Sequence, residues 1–209
     1  MGIGIWLAVD QNAGFKIADA AKEIGFKEVS LIPEPTSALI DFINEQSNLE
    51  VDKRKIDLDK KSRIMIFDLG GGTCDIAIVD VLLDGKKLEF YEVAIGRYDE
   101  LGGIDFDNKV AIFKLNEFLE LNNVDYFNLS INEKEEMIRS LRNFSEKAKE
   151  NISTLVENKT YFGEKFKYRI PNFYKDKDFE FSIDRKEYDY IVRDFFKKSE
   201  VFLLHFFLY

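Results

Sequence analysis

The stretch FDLGGGTCDIAIVD, residues 67–80, sets an aspartate, three consecutive glycines and a threonine between two apolar, strand-like runs. A hairpin closes with one glycine or two, and each glycine loses extra backbone entropy on folding. Without side chains, Gly70, Gly71 and Gly72 permit a tight turn and let backbone amides approach a ligand closely. Successive N–H groups in such a turn form a concavity suited to phosphate. Thr73 adds a hydroxyl donor, and Asp68 is placed to orient water or hydrated Mg2+. The competing reading is a tight turn that binds nothing. This is a hairpin cradle, distinct from the helix-linked P-loop, whose Gly-Lys-Ser/Thr signature is absent.

Outward from the turn, RIMIFDL, CDIAIVDVLL and KLEFYEVAI read as three strands, the last two joined by the hairpin signal DGK. Upstream, Ile17, Ala20, Ala21 and Ile24 fall at helical spacing in residues 13–24, with Gly25 as the stop. VSLI (29–32) reads as a strand, and EPTSALIDFIN as a helix with Pro35 in its first turn. The charge-dense LEVDKRKIDLDKKS (49–62) is poor in core residues and reads as a solvated connector. Downstream, beyond LGGIDFD, a helix runs through about Leu121. A longer one covers about Glu133 to Val156, opened by the capping-box pair Ser130 and Glu133. TYFGEKFKYRI and FEFSI suggest sheet. DRKEYDYIVRDFF gives a final helix with Tyr188, Ile191 and Phe195 on one stripe. The class is α/β, with an antiparallel meander followed by a helix-rich insertion.

Composition narrows the chemistry. The 209 residues are 45% hydrophobic and 33% charged, a globular balance. A net charge of −9 argues against sequence-independent binding to nucleic acid or to anionic membranes. Cys74 is the sole cysteine and His205 the sole histidine, so an intrachain disulfide is impossible and a zinc cluster or Ser-His-Asp triad is disfavoured. A reducing, cytoplasmic location is expected. MGIGIWLAVDQ lacks a signal-peptide pattern. The closing VFLLHFFLY is too short to span a bilayer and is expected to be buried.

Four motifs together resemble the seventy-kilodalton heat-shock (DnaK-type) chaperones, whose ATPase domain has the actin-like, ribonuclease H-like fold. IFDLGGGTCDIAIVDV is similar to the second phosphate motif, LIPEPTSALI to the Glu-Pro-Thr segment, LGGIDFDNKV to the entrance of the upper lobe, and LRNFSEKAKENIS to the adenosine-binding helix. They occur in family order from about residue 10 to about residue 197. The resemblance implies ATP or ADP with Mg2+. Gly70, Gly71, Gly72 and Thr73 would hold phosphates, and Asp68 and Glu34 would position the metal, through water, and the attacking water. Asp68, Glu34 and Thr73 are the implied catalytic set. Glu146, Lys149 and Ser153 would contact ribose and adenine, and Gly102 and Gly103 join the nucleotide site while allowing a lobe hinge. The family's acid there is replaced by Ile104. Geometry suits the helix assignment. At about 100° per residue, Glu146, Lys149 and Ser153 share one arc, and Leu141, Ser145, Ala148, Ile152 and Leu155 form a second stripe.

Three family parts have no counterpart here: the first phosphate hairpin, the catalytic lysine and the second adenosine motif. The expectation is a partial actin-like ATPase fold. It divides into a first-lobe segment (1–48), a connector (49–61), a phosphate-binding meander (62–100), an upper-lobe insertion (101–185) and a C-terminal helix with apolar tail (186–209). Nucleotide binding would be weak and turnover slight. Partners implied by the family are nucleotide, a J-domain co-chaperone, a nucleotide-exchange factor and unfolded clients. The alternatives are a non-hydrolysing pseudo-ATPase interaction module and, lower, a sugar or acetate kinase of the same superfold.

Overall fold

The computed structural model describes residues 3–7, 11–85, 87–158 and 163–207, with side chains from residue 15 to residue 205 of these. The chain divides into two compact units: residues 1–69 and 74–98 form one, and 70–73 and 99–207 the other.

In the first unit, strands β1 (Ile3–Leu7) and β2 (Val29–Pro33) pair in parallel, with helix α1 (Gln11–Glu23) between them in sequence. Helix α2 (Glu34–Ser47) follows directly, with Pro35 in its first turn as expected. An antiparallel meander then forms from β3 (Ser62–Leu69), β4 (Cys74–Asp84) and β5 (Lys87–Tyr98), with β4 central. Exposure alternates along β3, an edge strand with one covered face, whereas residues Ile76 to Val81 of β4 are all buried. The register Asp84↔Lys87 confirms the tight hairpin at DGK. The core lies between α2 and one sheet face, where Leu39 and Ile43 meet Ala77, Val79 and Val81.

Three expectations need correction here. The connector is not merely solvated: Leu58 is fully buried in that same core. Its carbonyl accepts the Leu83 N–H at 3.3 Å, and the Lys55 N–H donates to Gln46 Oε1 at 2.7 Å, so two hydrogen bonds tie the middle of the segment down. Among the described side chains of α1, Ala18 and Ala21 are the buried ones, whereas Ile17 and, just past the helix, Ile24 are exposed. Small residues spaced three apart let that face approach its neighbours closely. The apolar tail is not buried over its described side chains, 201–205, either: α5 (Arg185–Phe207) continues into it, and helical phase turns Val201 and Leu204 outward, while residues 208–209 lie outside the described residues.

The second unit packs α3 (Gly103–Leu121), α4 (Ile131–Glu157) and α5 with the hairpin of β6 (Lys165–Tyr174) and β7 (Lys177–Asp184). Ser130 caps α4: its Oγ accepts the Glu133 N–H at 3.3 Å, and its own N–H donates to Glu133 Oε2 at 2.8 Å. The predicted stripe Leu141, Ser145, Ala148 and Ile152 is the buried face of α4. Phe118 sits at the centre of the core, edge-on to Phe173 at 4.7 Å and to Phe179 at 5.2 Å. Tyr188 and Ile191 of the predicted α5 stripe are buried, and Phe195 packs on Phe106 at 4.9 Å. A buried cation joins the elements: Lys114 Nζ donates to Glu187 at 2.6 Å and to the Ser182 carbonyl at 3.1 Å.

Two tests follow from the first unit. Leu58→Ala should destabilise the protein by about 2–5 kcal/mol in urea denaturation, the loss of a large buried apolar side chain. A solvated connector residue would give almost no change. Asp80 is buried between Arg63 (2.8 Å) and Lys61 (2.8 Å), and those hydrogen bonds hold its carboxyl well below the ordinary carboxylate range. A depressed carboxyl stabilises the fold above its unfolded value and loses that contribution as pH falls. Asp80→Asn should therefore flatten the drop in denaturation midpoint between about pH 4 and about pH 2.

Candidate functional site

The glycine segment Gly70–Gly72 is held by its carbonyl side. The Gly70 N–H donates to the Thr73 carbonyl at 2.8 Å, closing the turn. Its carbonyl accepts the Gly103 N–H at 2.9 Å, and the Gly71 carbonyl accepts the Ile104 N–H at 2.7 Å. These two donors open α3 and would otherwise lack partners within the helix. The helix entrance is closed by its own residues as well: the Gly102 N–H donates to Asp105 Oδ2 at 2.8 Å.

The crossing explains the second glycine pair. A Cβ on Gly102 would land on the backbone of Gly72, 2.6 Å from its nitrogen, so only glycine lets the two segments touch. Gly103 is also crowded, with Lys149 Nζ 3.3 Å from where its Cβ would be. What the structure shows at Gly102 and Gly103 is a packed crossing.

Gly71 and Gly72 differ. Both are exposed, neither takes a positive φ, and a Cβ on either would meet no atom within 4 Å. Among the hydrogen bonds of the described residues, neither N–H has an acceptor. The Gly70 and Gly71 carbonyls are thus used by the protein, whereas the adjacent Gly71 and Gly72 amides, like the Gly72 carbonyl, have no partner among the described residues.

Lys149 reaches this crossing from α4. Its Nζ donates to Asp107 Oδ2 at 2.6 Å and to the Gly103 carbonyl at 3.2 Å. Asp107 is buried, and its Oδ1 has no hydrogen-bond partner. Burial raises the Asp107 carboxyl above its ordinary value, opposed by Lys149 and reinforced by Glu146. Glu146 and Ser153, about one turn either side of Lys149, are exposed.

The structure therefore brings together Gly70, Gly71, Gly72, Thr73, Gly102, Gly103 and Lys149 in the second unit, with Glu146 and Ser153 on the same helix as Lys149. Asp68 and Glu34 belong to the first unit. Asp68 lies half-buried near the end of β3, directly across from Asp75 of β4. Glu34 is half-buried as the first residue of α2, whose Thr36 hydroxyl donates to Glu92 of β5 at 2.8 Å. No cluster of three or more His, Cys, Asp or Glu side chains suited to direct metal binding occurs among the described residues. Cys74 is buried, and its thiol is pushed up to about 11 by burial, then by Asp75 and Asp68, so it is no ready nucleophile.

Sequence reasoning passed over Asp75 and Asp107. Strand pairing around the glycine turn could have flagged Asp75, since the turn fixes which residue faces Asp68. Asp107 lies within DFDNKV, where nothing local separates it from Asp105.

The α/β architecture, a helix-flanked antiparallel meander followed by a helical insertion, is consistent with an actin-like fold in partial form, the fold of the family that matches it. The family model described as Hsp70 protein matches residues 11–205, and the chain belongs to that family. It is similar to the Chaperone protein DnaK of Elusimicrobium minutum, at 31% identity over 139 residues, covering 66% of this chain and 19% of that protein. The Chaperone protein dnaK of Phaeodactylum tricornutum is 36% identical over 140 residues, with coverage of 66% and 19%. For Endomicrobium trichonymphae DnaK the figures are 30% over 148 residues, 71% and 20%. The chain thus matches about a fifth of the length of these relatives.

The crossing makes unequal demands on its glycines. Gly102→Ala should lower stability by about 1–3 kcal/mol, the effect of forcing an extra carbon into packed backbone. Gly71→Ala, with open space around it, should stay within about 0.5 kcal/mol of the parent. Thermal or urea denaturation of both variants checks the contrast.

Proposed function

We propose that this chain is the ATP-binding portion of a DnaK-type chaperone, with weak nucleotide affinity and little or no turnover by itself. The observation that carries this reading is the pair of open amides at Gly71 and Gly72. Nothing in the protein's own packing or backbone geometry requires glycine there. A ligand that must come close to the backbone does require it. Two adjacent, unpaired N–H groups favour an anion, and a nucleotide's phosphates supply one.

In this proposal Gly70, Gly71, Gly72 and Thr73 hold the phosphates, bounded by Gly102 and Gly103. Glu146, Lys149 and Ser153 of α4 hold the adenosine. Asp68 and Glu34 are the carboxylates for Mg2+, through water, and for orienting the attacking water. When bound, the metal would offset charge on the phosphates. Asp68, which lies across from Asp75, and Glu34 fit such indirect binding, because Mg2+ keeps several of its waters and needs only one or two carboxylates beside the phosphates. Slight turnover is the expected result of holding phosphate from one side, since hydrolysis needs opposed donors in a preorganised, water-excluding site. A J-domain co-chaperone, an exchange factor, unfolded clients and a cytoplasmic setting extend the same family reading. No helix among the described residues is long and apolar enough to cross a membrane.

Calorimetry of the full chain with ATP or ADP and Mg2+, followed by a phosphate-release assay, tests the proposal. Binding should be measurable, with turnover near background. Gly71→Val and Gly72→Val should each weaken binding tenfold or more without lowering the denaturation midpoint. Unchanged affinity in both variants would remove the phosphate role of the open amides, and robust turnover by the pure chain would overturn the claim of inactivity.

A further inference from the structure

We propose that Asp107 is a positioning residue for the nucleotide site, acting solely through Lys149; the inference rests on the nucleotide reading above. Lys149 extends from α4 to two acceptors on α3, Asp107 Oδ2 and the Gly103 carbonyl. Gly103 is the residue whose N–H holds the Gly70 carbonyl. The ammonium therefore ties the polar face of α4 to the point where the two glycine segments cross. A lysine side chain has four rotatable carbons and a roughly spherical charge, so one acceptor alone leaves it many positions. Two acceptors on one rigid helix remove most of that freedom.

Asp107 is suited to this task and to little else. Its side chain is 7% exposed, so it cannot itself reach a ligand in solvent. Oδ2 is taken by Lys149, and Oδ1 is buried with no donor. The other charged groups acting on it are Glu146 and Arg142, both on α4. Tyr188 of α5 lies close enough for the Asp107 charge to help raise its hydroxyl's pKa. A buried carboxylate with a single hydrogen-bonded cation depends on that cation, and the cation's place is set in return. Lys149 in turn has its exposed neighbours, Glu146 and Ser153, on the same helix.

The test is a mutant cycle on the full chain, with Asp107→Asn, Lys149→Met and the double variant. It reads ADP·Mg2+ affinity by calorimetry, and amide hydrogen exchange at Gly103 and Ile104 without nucleotide. Asp107→Asn should weaken ADP·Mg2+ about fivefold to twentyfold and speed exchange at both amides tenfold or more. In the Lys149→Met background the same change should alter either quantity by less than twofold, because the residue it acts through is gone. Lys149→Arg covers the case in which Lys149→Met fails to fold. Its guanidinium keeps the ion pair and can donate to the free Oδ1, so exchange should stay within threefold of the parent.

The proposal is overturned if Asp107→Asn leaves affinity and exchange unchanged, or if its effect is equally large without Lys149. Loss of protection in Lys149→Arg equal to that in Asp107→Asn would overturn it as well. If the parent chain binds no ADP·Mg2+, the nucleotide reading fails, and the exchange cycle alone decides whether Asp107 fixes Lys149 at the glycine crossing.

Discussion

The second unit depends on one short contact, the crossing of Gly70–Gly72 with Gly102–Gly103. Two backbone bonds, from Gly103 and Ile104 to the Gly70 and Gly71 carbonyls, satisfy donors at the start of a 19-residue helix. Because the contact is backbone on backbone, it tolerates no side chain at Gly102. It also decides part of what remains: with the Gly70 and Gly71 carbonyls taken by α3, the Gly71 and Gly72 amides are without an acceptor among the described residues. A segment that looks symmetrical in sequence has two carbonyls closed by protein and two amides left open.

Much of this was legible in the residues. The glycine hairpin, the strand order around it, the α4 cap and the apolar stripe of α4 all follow from local spacing, because each is set by contacts within a few residues or by a simple period. What stayed hidden depended on distant contacts. Leu58 sits in a run of charges whose average argues for solvent, yet this one leucine joins the core cluster of Ile43 and Val79 and anchors the segment. On α1 the larger Ile17 and Ile24 suggested the inner face, whereas close packing selected Ala18 and Ala21. Asp107 shows its importance only through Lys149, 42 residues later.

The site itself was legible in part. The four glycine-bearing and polar segments were identifiable as a set, and the crossing brings two of them together with Lys149. Sequence alone assigned the same purpose to Gly71 and Gly102. Structure separates them: Gly102 is glycine because backbone lies against it, and Gly71 is glycine with empty space beside it. The first is a requirement of folding. The second is not, since neither packing nor φ at Gly71 calls for glycine.

The clamp of Lys61 and Arg63 on Asp80 has a consequence for how the meander assembles. Side chains alternate between the two faces of a strand, so sliding β4 by a single residue against β3 would carry every one of them to the opposite side. Asp80 would then enter the oily layer beneath α2, stripped of both cations, and Val79 and Val81 would be turned out of it. The hairpin is thereby proofread by charge: an apolar pattern alone could settle into neighbouring alignments of similar energy, whereas a single acid placed among valines leaves just one alignment that can close.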